Sequence, residues 1–221
     1  MSLIFKLEMS DTMTLARQIN KANIAKIARN SFSPKSRSMQ YAESLNETYI
    51  CLSLDFDPTV KSYTTQPDSF FYCTDDGKRR RYTPDLLIQY TNGAMKFVEI
   101  KPEGFTHSDA FKQPFKRHQE VILSQTGCPL ILITDVMSKP EKRKQFSQLK
   151  GYLNTEPLPD VDSFVIDYVK ERGTCVIADI ETQCVRLNAP LFYPMSMIAR
   201  GLLCCSHDGL ISRQCLVEVA S

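Results

Sequence analysis

Arg80-Arg81-Tyr82-Thr83-Pro84-Asp85-Leu86-Leu87-Ile88-Gln89-Tyr90-Thr91-Asn92-Gly93-Ala94-Met95-Lys96-Phe97-Val98-Glu99-Ile100-Lys101-Pro102 is the stretch on which the fold turns. Two β-rich runs, Arg80 to Thr91 and Ala94 to Lys101, are parted by Asn92-Gly93, a hairpin signal. Residues two apart on a strand share a face about 6.6 Å along the chain, so Glu99 and Lys101 project together. Ile100 then points into the core and leaves its carbonyl available. A two-residue turn would set Asp85 opposite Ile100 and put Glu99 on the wrong side. A three-residue loop, Thr91 to Gly93 with glycine in the left-handed position, sets Asp85 opposite Glu99. That register, or a bulge of the same parity, is the expectation.

Working outward, Val60 to Thr65 and Ser69 to Thr74 read as earlier strands, which with the quoted stretch make an antiparallel meander. Leu45, Tyr49, Leu52 and Phe56 recur at helical steps, so residues 41 to 55 read as a helix stopped before Pro58, with Glu43 and Glu47 one turn apart. Ser10 or Asp11 begins an earlier helix marked by Leu15, Ile19 and Ile27, and Ser31 to Ser38 is a basic loop. Downstream, a helical stretch from Ser108 to Thr126, interrupted at Pro114, leads into Pro129 to Thr134, an apolar strand of the buried kind. Helix followed by strand implies a mixed sheet. A charged helix runs from Glu141 to Tyr152, and Asn154 to Asp160 has the composition of a linker. Helices at Ser163 to Arg172 and Pro190 to Cys204 flank a short Val176 to Ala178 stretch. The division expected is 1–153, a linker at 154–162, and a smaller unit at 163–221.

The composition is that of an ordinary globular protein, with 43% hydrophobic and 24% charged residues. No run approaches the length of a membrane span, and the amino terminus makes a poor secretory signal, so the expected place is the cytoplasm. The eight cysteines include no C-x-x-C pair and read as reduced thiols. Cys204, Cys205, His207 and Cys215 cluster in sequence without the usual zinc-ligand spacing. Charge is divided unevenly: residues 1–150 carry 22 bases and 16 acids, and residues 151–221 carry 5 and 9. Lys35 and Arg37 in the acid-free leader, Lys78-Arg79-Arg80-Arg81, and Lys116-Arg117 beside His118 are the candidate phosphate contacts. For any one run, the plain reading is a solvated face.

Hydrolysis of a phosphodiester needs a nucleophilic water and a stabiliser of developing negative charge, which hard divalent cations supply. Asp85, Glu99 and the carbonyl of Ile100 form an oxygen-rich ligand set suited to magnesium, or manganese, with Lys101 directed at the attacking water or the phosphate. His107, His118 and His207 form no hydrolase dyad by spacing.

The whole pattern resembles the PD-(D/E)XK nucleases, and within them the TnsA endonucleases of heteromeric cut-and-paste bacterial transposons. The resemblance runs from Ser31 to Glu103, through Ser33-Pro34-Lys35, Glu43-Ser44-Leu45-Asn46-Glu47, Leu54 to Val60, Gln66-Pro67, Arg81-Tyr82-Thr83-Pro84-Asp85 and Val98-Glu99-Ile100-Lys101-Pro102. It implies a restriction-endonuclease-like α/β fold, a mixed sheet flanked by helices, followed by a small, mainly helical, winged-helix-like unit. It also implies that Glu47, from an S-x-x-E element, joins Asp85, Glu99 and Lys101 as catalytic residues and joins the metal ligands; Glu43 reads as a solvated or capping acid. The function implied is cleavage of double-stranded DNA at the 5′ transposon ends, beside a TnsB-like transposase and a TnsC-like ATP-using regulator that contacts the carboxy-terminal part. A stand-alone restriction or repair nuclease is one alternative, and a non-catalytic DNA-binding assembly subunit is another.

Overall fold

The computed structural model of the chain describes residues 29–135 and 139–220. The helix expected from Ser10 or Asp11, with Leu15, Ile19 and Ile27, lies outside the described residues. The described chain opens with a hairpin, β1 (Arg29–Ser33) and β2 (Ser38–Ala42), where a basic loop was expected. Serine hydroxyls shape its turn. Ser33 donates to buried Asp55 at 2.6 Å, and the Ser36 hydroxyl donates to the Tyr63 carbonyl and accepts the Tyr63 N–H.

Helix α1 (Leu45–Phe56) follows as its apolar spacing requires, and leads into β3 (Val60–Thr65). A separate hairpin comes next, β4 (Phe70–Cys73) with β5 (Arg79–Tyr82), and then β6 (Leu86–Tyr90) and β7 (Met95–Lys101). The simple meander is thereby corrected: β3 pairs with β6, and β4–β5 is an excursion between them. The physical break is at Thr83-Pro84, since proline has no N–H to give to a ladder, and the run from Arg80 to Thr91 divides there.

After the short α2 (Glu103–Thr106), α3 (Asp109–Thr126) continues through Pro114 rather than stopping at it. The proline stands near the helix start, where it forfeits one backbone bond. Gly127, at φ +73°, ends the helix, and β8 (Leu130–Thr134) enters parallel to β7. The central sheet has the order β3-β6-β7-β8, mixed and covered on both faces. Ile50, Cys51 and Leu54 of α1 pack on Leu86, Ile88, Val98 and Ile100. On the opposite face Phe97 and Leu130 pack with Ile122 of α3 and with Phe70 of the excursion. This is a restriction-endonuclease-like α/β arrangement.

Helix α4 (Pro140–Leu149) lies against α1, with Phe146 stacked on Phe56 at 4.5 Å. Then come α5 (Pro159–Arg172), β9 (Cys175–Val176), α6 (Ile177–Arg186), α7 (Tyr193–Ala199), β10 (Leu203–Cys205) and β11 (Leu216–Val219). Three differences from expectation stand out. Helix α5 begins at Pro159, inside the stretch read as linker, with Leu158 and Val161 in the carboxy-terminal core. Helix α6 replaces the short stretch at 176–178. The helix expected over 190–204 stops before Gly201, at φ +74°, so that Leu203–Cys205 joins a three-stranded sheet of order β10-β11-β9. The order is thus helix, strand, helix, helix, strand, strand around one apolar core built on Val165, Ile180, Tyr193, Met197 and Val217. Among the described residues no helix is long and apolar enough to cross a membrane.

Candidate active site

The β6–β7 hairpin has the three-residue loop. Tyr90 N–H donates to Ala94 O at 2.8 Å, Gly93 N–H to Tyr90 O at 3.0 Å, and Gly93 sits at φ +85°, where a side chain would be strained. Leu86 faces Val98 and Gln89 faces Met95, so Asp85, one step before the ladder, stands opposite Glu99. Its N–H donates to Val98 O at 2.9 Å, and its Oδ2 accepts the N–H of Ile100 at 2.7 Å. Asp85, Glu99 and Lys101 therefore share the sheet face that carries Leu87 and Phe97, while Ile100 is buried under α1.

Glu99 is 8% exposed, and both its oxygens are held. Oε1 lies 2.6 Å from Lys101 Nζ, and Oε2 accepts the Tyr82 hydroxyl at 2.5 Å. Lys101 Nζ is 4.0 Å from Asp85 Oδ2. Two carboxylates thus share one ammonium. Burial, and then the charge of Glu99, push the Asp85 carboxyl well above the ordinary carboxylate range, against the pull of Lys101 and the Ile100 N–H. For Lys101, burial pulls the affinity for its proton down, but Asp85 and Glu99 together outweigh it and leave it raised.

Glu47 comes from the helix on the other face, at the end of the sheet where Asp85 opens β6. Ser44 and Glu47 form a capping box: the Glu47 N–H donates to Ser44 Oγ at 3.2 Å, while the Glu47 carboxylate accepts the Ser44 hydroxyl and the Glu43 N–H, each at 2.8 Å. Its charge still acts on Asp85 and Lys101. Glu43, which lies before the Ser44 cap and not in the helix expected from residue 41, accepts Gln66 Nε2 at 2.9 Å, and the Gln66 N–H donates to the Asp85 carbonyl at 2.8 Å, so Glu43 is tied to the same corner.

Among the described residues no three His, Cys, Asp or Glu side chains converge as a ready-made metal cage, and this includes the cysteine cluster weighed for zinc. Asp85, Glu99 and the Ile100 carbonyl nevertheless suit a hard cation that keeps several of its waters. The negative charge of Glu99, which together with burial raises the Asp85 carboxyl, is charge such a cation would neutralise.

The candidate phosphate contacts are scattered. Lys35 is turned inward, bonded through Nζ to the carbonyls of Asp57 and Val60, a correction to its expected role; in that half-buried position its proton affinity falls. Arg37 is exposed in the β1–β2 turn at φ +50°. Lys78, Arg79, Arg80 and Arg81 are all exposed on the excursion hairpin; Lys78 pairs with Asp76 at 2.7 Å, and Arg79 lies over the half-exposed Phe71 ring. Arg117 reaches Asp75 at 2.7 Å, and Lys116 is exposed. His118 is not at the surface with them. Its ring stacks on Tyr82 at 3.7 Å, its Nε2 is 3.1 Å from the Tyr72 hydroxyl, and burial lowers its proton affinity.

Residues 57–135 match the family described as TnsA-like endonuclease N terminal. The match supports the resemblance carried by the motifs and extends past it to the end of β8. It takes in Asp85, Glu99 and Lys101 and leaves Glu47 on its amino-terminal side. The TnsA-like segment is thus the central sheet, its excursion hairpin and α3. No curated protein matches the chain. Sequence reasoning missed Tyr82, although it stands three residues before Asp85 in the quoted stretch. A tyrosine in a β run reads as core until the partner of its hydroxyl is known.

Proposed function

We propose that the chain is a divalent-cation-dependent DNA endonuclease, with magnesium or manganese as its ion, that cuts the 5′ ends of a bacterial cut-and-paste transposon. The observation that carries the reading is the shared face of Asp85, Glu99 and Lys101, with a buried and a partly buried carboxylate competing for one ammonium, inside a segment similar to a TnsA-like endonuclease domain. Asp85, Glu99 and the Ile100 carbonyl would hold the cation, with Glu47 approaching from α1. The bound ion would supply a nucleophilic water near neutral pH and neutralise charge on the phosphate. Lys101 presents its ammonium to the same phosphate, and Glu99 keeps that ammonium in place. Arg37, Lys78, Arg79, Arg80, Arg81, Lys116 and Arg117 would grip the duplex backbone without reading sequence.

The carboxy-terminal unit, which we read as winged-helix-like, belongs in this proposal to protein partners. Residues 151–221 carry 9 acids against 5 bases, which disfavours DNA. A TnsB-like transposase and a TnsC-like regulator are the partners that the resemblance implies. The test is strand cleavage of transposon-end duplexes in magnesium by the wild type and by Asp85→Ala, each with its partners. Cleavage by the wild type and at most a trace by the variant is expected; equal cutting by a folded Asp85→Ala sinks the nuclease reading.

A further inference from the structure

Tyr82 and His118 have no part in the reaction as proposed, yet Tyr82 touches its most enclosed acid and His118 packs on Tyr82. Tyr82 is the last residue of β5, which belongs to the excursion hairpin and not to the central sheet. Its hydroxyl reaches across to Glu99 Oε2 at 2.5 Å, while the other oxygen of that carboxylate holds Lys101. The Tyr82 ring is clamped. His118 of α3 stacks on it with the two planes 12° apart, and His118 is itself held by Tyr72, on the partner strand of the same hairpin.

We infer that Tyr82 is a positioning residue: held by His118, it fixes Glu99 and through it Lys101, and so joins the arginine-bearing hairpin to the catalytic face. The inference rests on the nuclease reading and deepens it. A glutamate has three side-chain torsions, and a buried one tethered only through Oε1 could turn its free oxygen toward Asp85 or pull the lysine away from it. A charge-assisted hydrogen bond to Oε2 removes that freedom. The 4.0 Å between Lys101 Nζ and Asp85 Oδ2 is then set in part from β5. Alternation along β5 sends Tyr82 and Arg80 to one face and Arg79 and Arg81 to the other, so the strand that meets DNA through its arginines ends on the residue that meets Glu99. A phosphate contact on this hairpin and the geometry of the catalytic lysine are thereby linked through a few bonds.

Tyr82→Phe keeps the ring and its stacking and removes only the hydroxyl. Three quantities are measured on wild type and variant: calcium affinity by calorimetry, with calcium as a probe of the cation site; the cleavage rate and its magnesium dependence on an end duplex; and the thermal midpoint. The expected result is a loss of about 10-fold in cleavage, with weaker calcium binding of similar size and an unchanged thermal midpoint. In a Glu99→Gln background the same substitution should cost nothing further, because the tyrosine acts through that carboxylate. Wild-type cleavage and calcium affinity in Tyr82→Phe overturn the inference, and so does a full additional loss in the Glu99→Gln background. Should Tyr82→Phe melt early, His118→Gln, which removes the stacked ring, must give a smaller loss of the same kind that also vanishes in Glu99→Gln. A wild type that neither binds calcium nor cuts DNA sinks the nuclease reading itself, whereas a working wild type with an indifferent Tyr82→Phe sinks only the tyrosine.

Discussion

Two constellations in this molecule use the same three kinds of group and come to opposite electrostatic ends. In the carboxy-terminal unit, Asp162 meets Arg200 through two bonds of 2.7 Å and accepts the Tyr193 hydroxyl at 2.8 Å. In the TnsA-like segment, Glu99 meets Lys101 and accepts the Tyr82 hydroxyl, but Asp85 crowds the same ammonium. Where one carboxylate answers one guanidinium, the bonds from Arg200 and Tyr193 overcome the cost of burial and hold Asp162 below the ordinary range. Where two carboxylates answer one ammonium, burial and repulsion raise Asp85 above it. The first arrangement is complete and reads as architecture. The second carries an excess of negative charge that folding alone does not require, and it is this charge that the proposed cation would neutralise.

The comparison breaks most sharply at Asp85. Asp85→Ala or Lys101→Ala should lower cleavage by about 100- to 1,000-fold, the scale of removing a group that stabilises charge in the transition state. Asp85→Asn should at the same time leave the thermal midpoint equal or higher, because it removes a repulsion rather than a support. Cleavage is measured on an end duplex and stability by thermal melting. A marked fall in midpoint with Asp85→Asn would place this site with the structural one.

A smaller effect sharpens the standing of Glu47, which has two duties. As the capping-box acid of α1 it supports the helix, and as a charge that acts on Asp85 it would belong to the proposed site. Glu47→Gln separates them, since glutamine serves in a capping box but carries no charge. Cleavage should drop by about 10- to 100-fold with little change in stability, whereas Glu47→Ala should also lose about 1 kcal/mol of stability with the cap. Glu43→Ala should keep most of its activity. If Glu47→Gln cuts DNA like the wild type, α1 is scaffold alone.

Much of the site was legible in sequence because its geometry is local. The loop Thr91-Asn92-Gly93 sets the β6–β7 register, and register alone puts Asp85 beside Glu99. The partnership of β3 with β6 depended instead on where the run from Arg80 to Thr91 divides, and Thr83-Pro84 was passed over as part of a strand. Helix α6 was missed although Ile177, Ile180 and Cys184 recur at steps of three and four, the spacing of a buried stripe. Lys35 was read as a phosphate contact because a charge in a basic leader shows nothing of the carbonyls it will find. Tyr82 and His118 lie 36 residues apart and meet only through packing of a hairpin on a helix. No local pattern encodes that.

The last and smallest effect belongs to the balanced constellation. Asp162 joins the start of α5 to Arg200 after α7, and Tyr193 reinforces the join by accepting the Leu158 N–H at 2.6 Å. Replacing Asp162 with asparagine leaves an arginine, 17% exposed at its side chain, without its counter-charge. The cost should be about 2 kcal/mol, the scale of a hydrogen-bonded charge rather than of a fully buried pair. Its pH dependence has a definite sign. A carboxyl depressed in the folded chain contributes its stability fully above the unfolded value of about 3.9, and loses it as pH falls through the lower folded value. Melting curves of wild type and Asp162→Asn should therefore stand apart by a constant gap from neutral pH down to about 5 and close below about 4, while cleavage at neutral pH and at a temperature where both are folded is the same. A gap that persists undiminished in acid would show that Asp162 holds the unit by shape and not by charge. A loss of cleavage in the folded variant would show that the two constellations are not independent, and the contrast between them would fail.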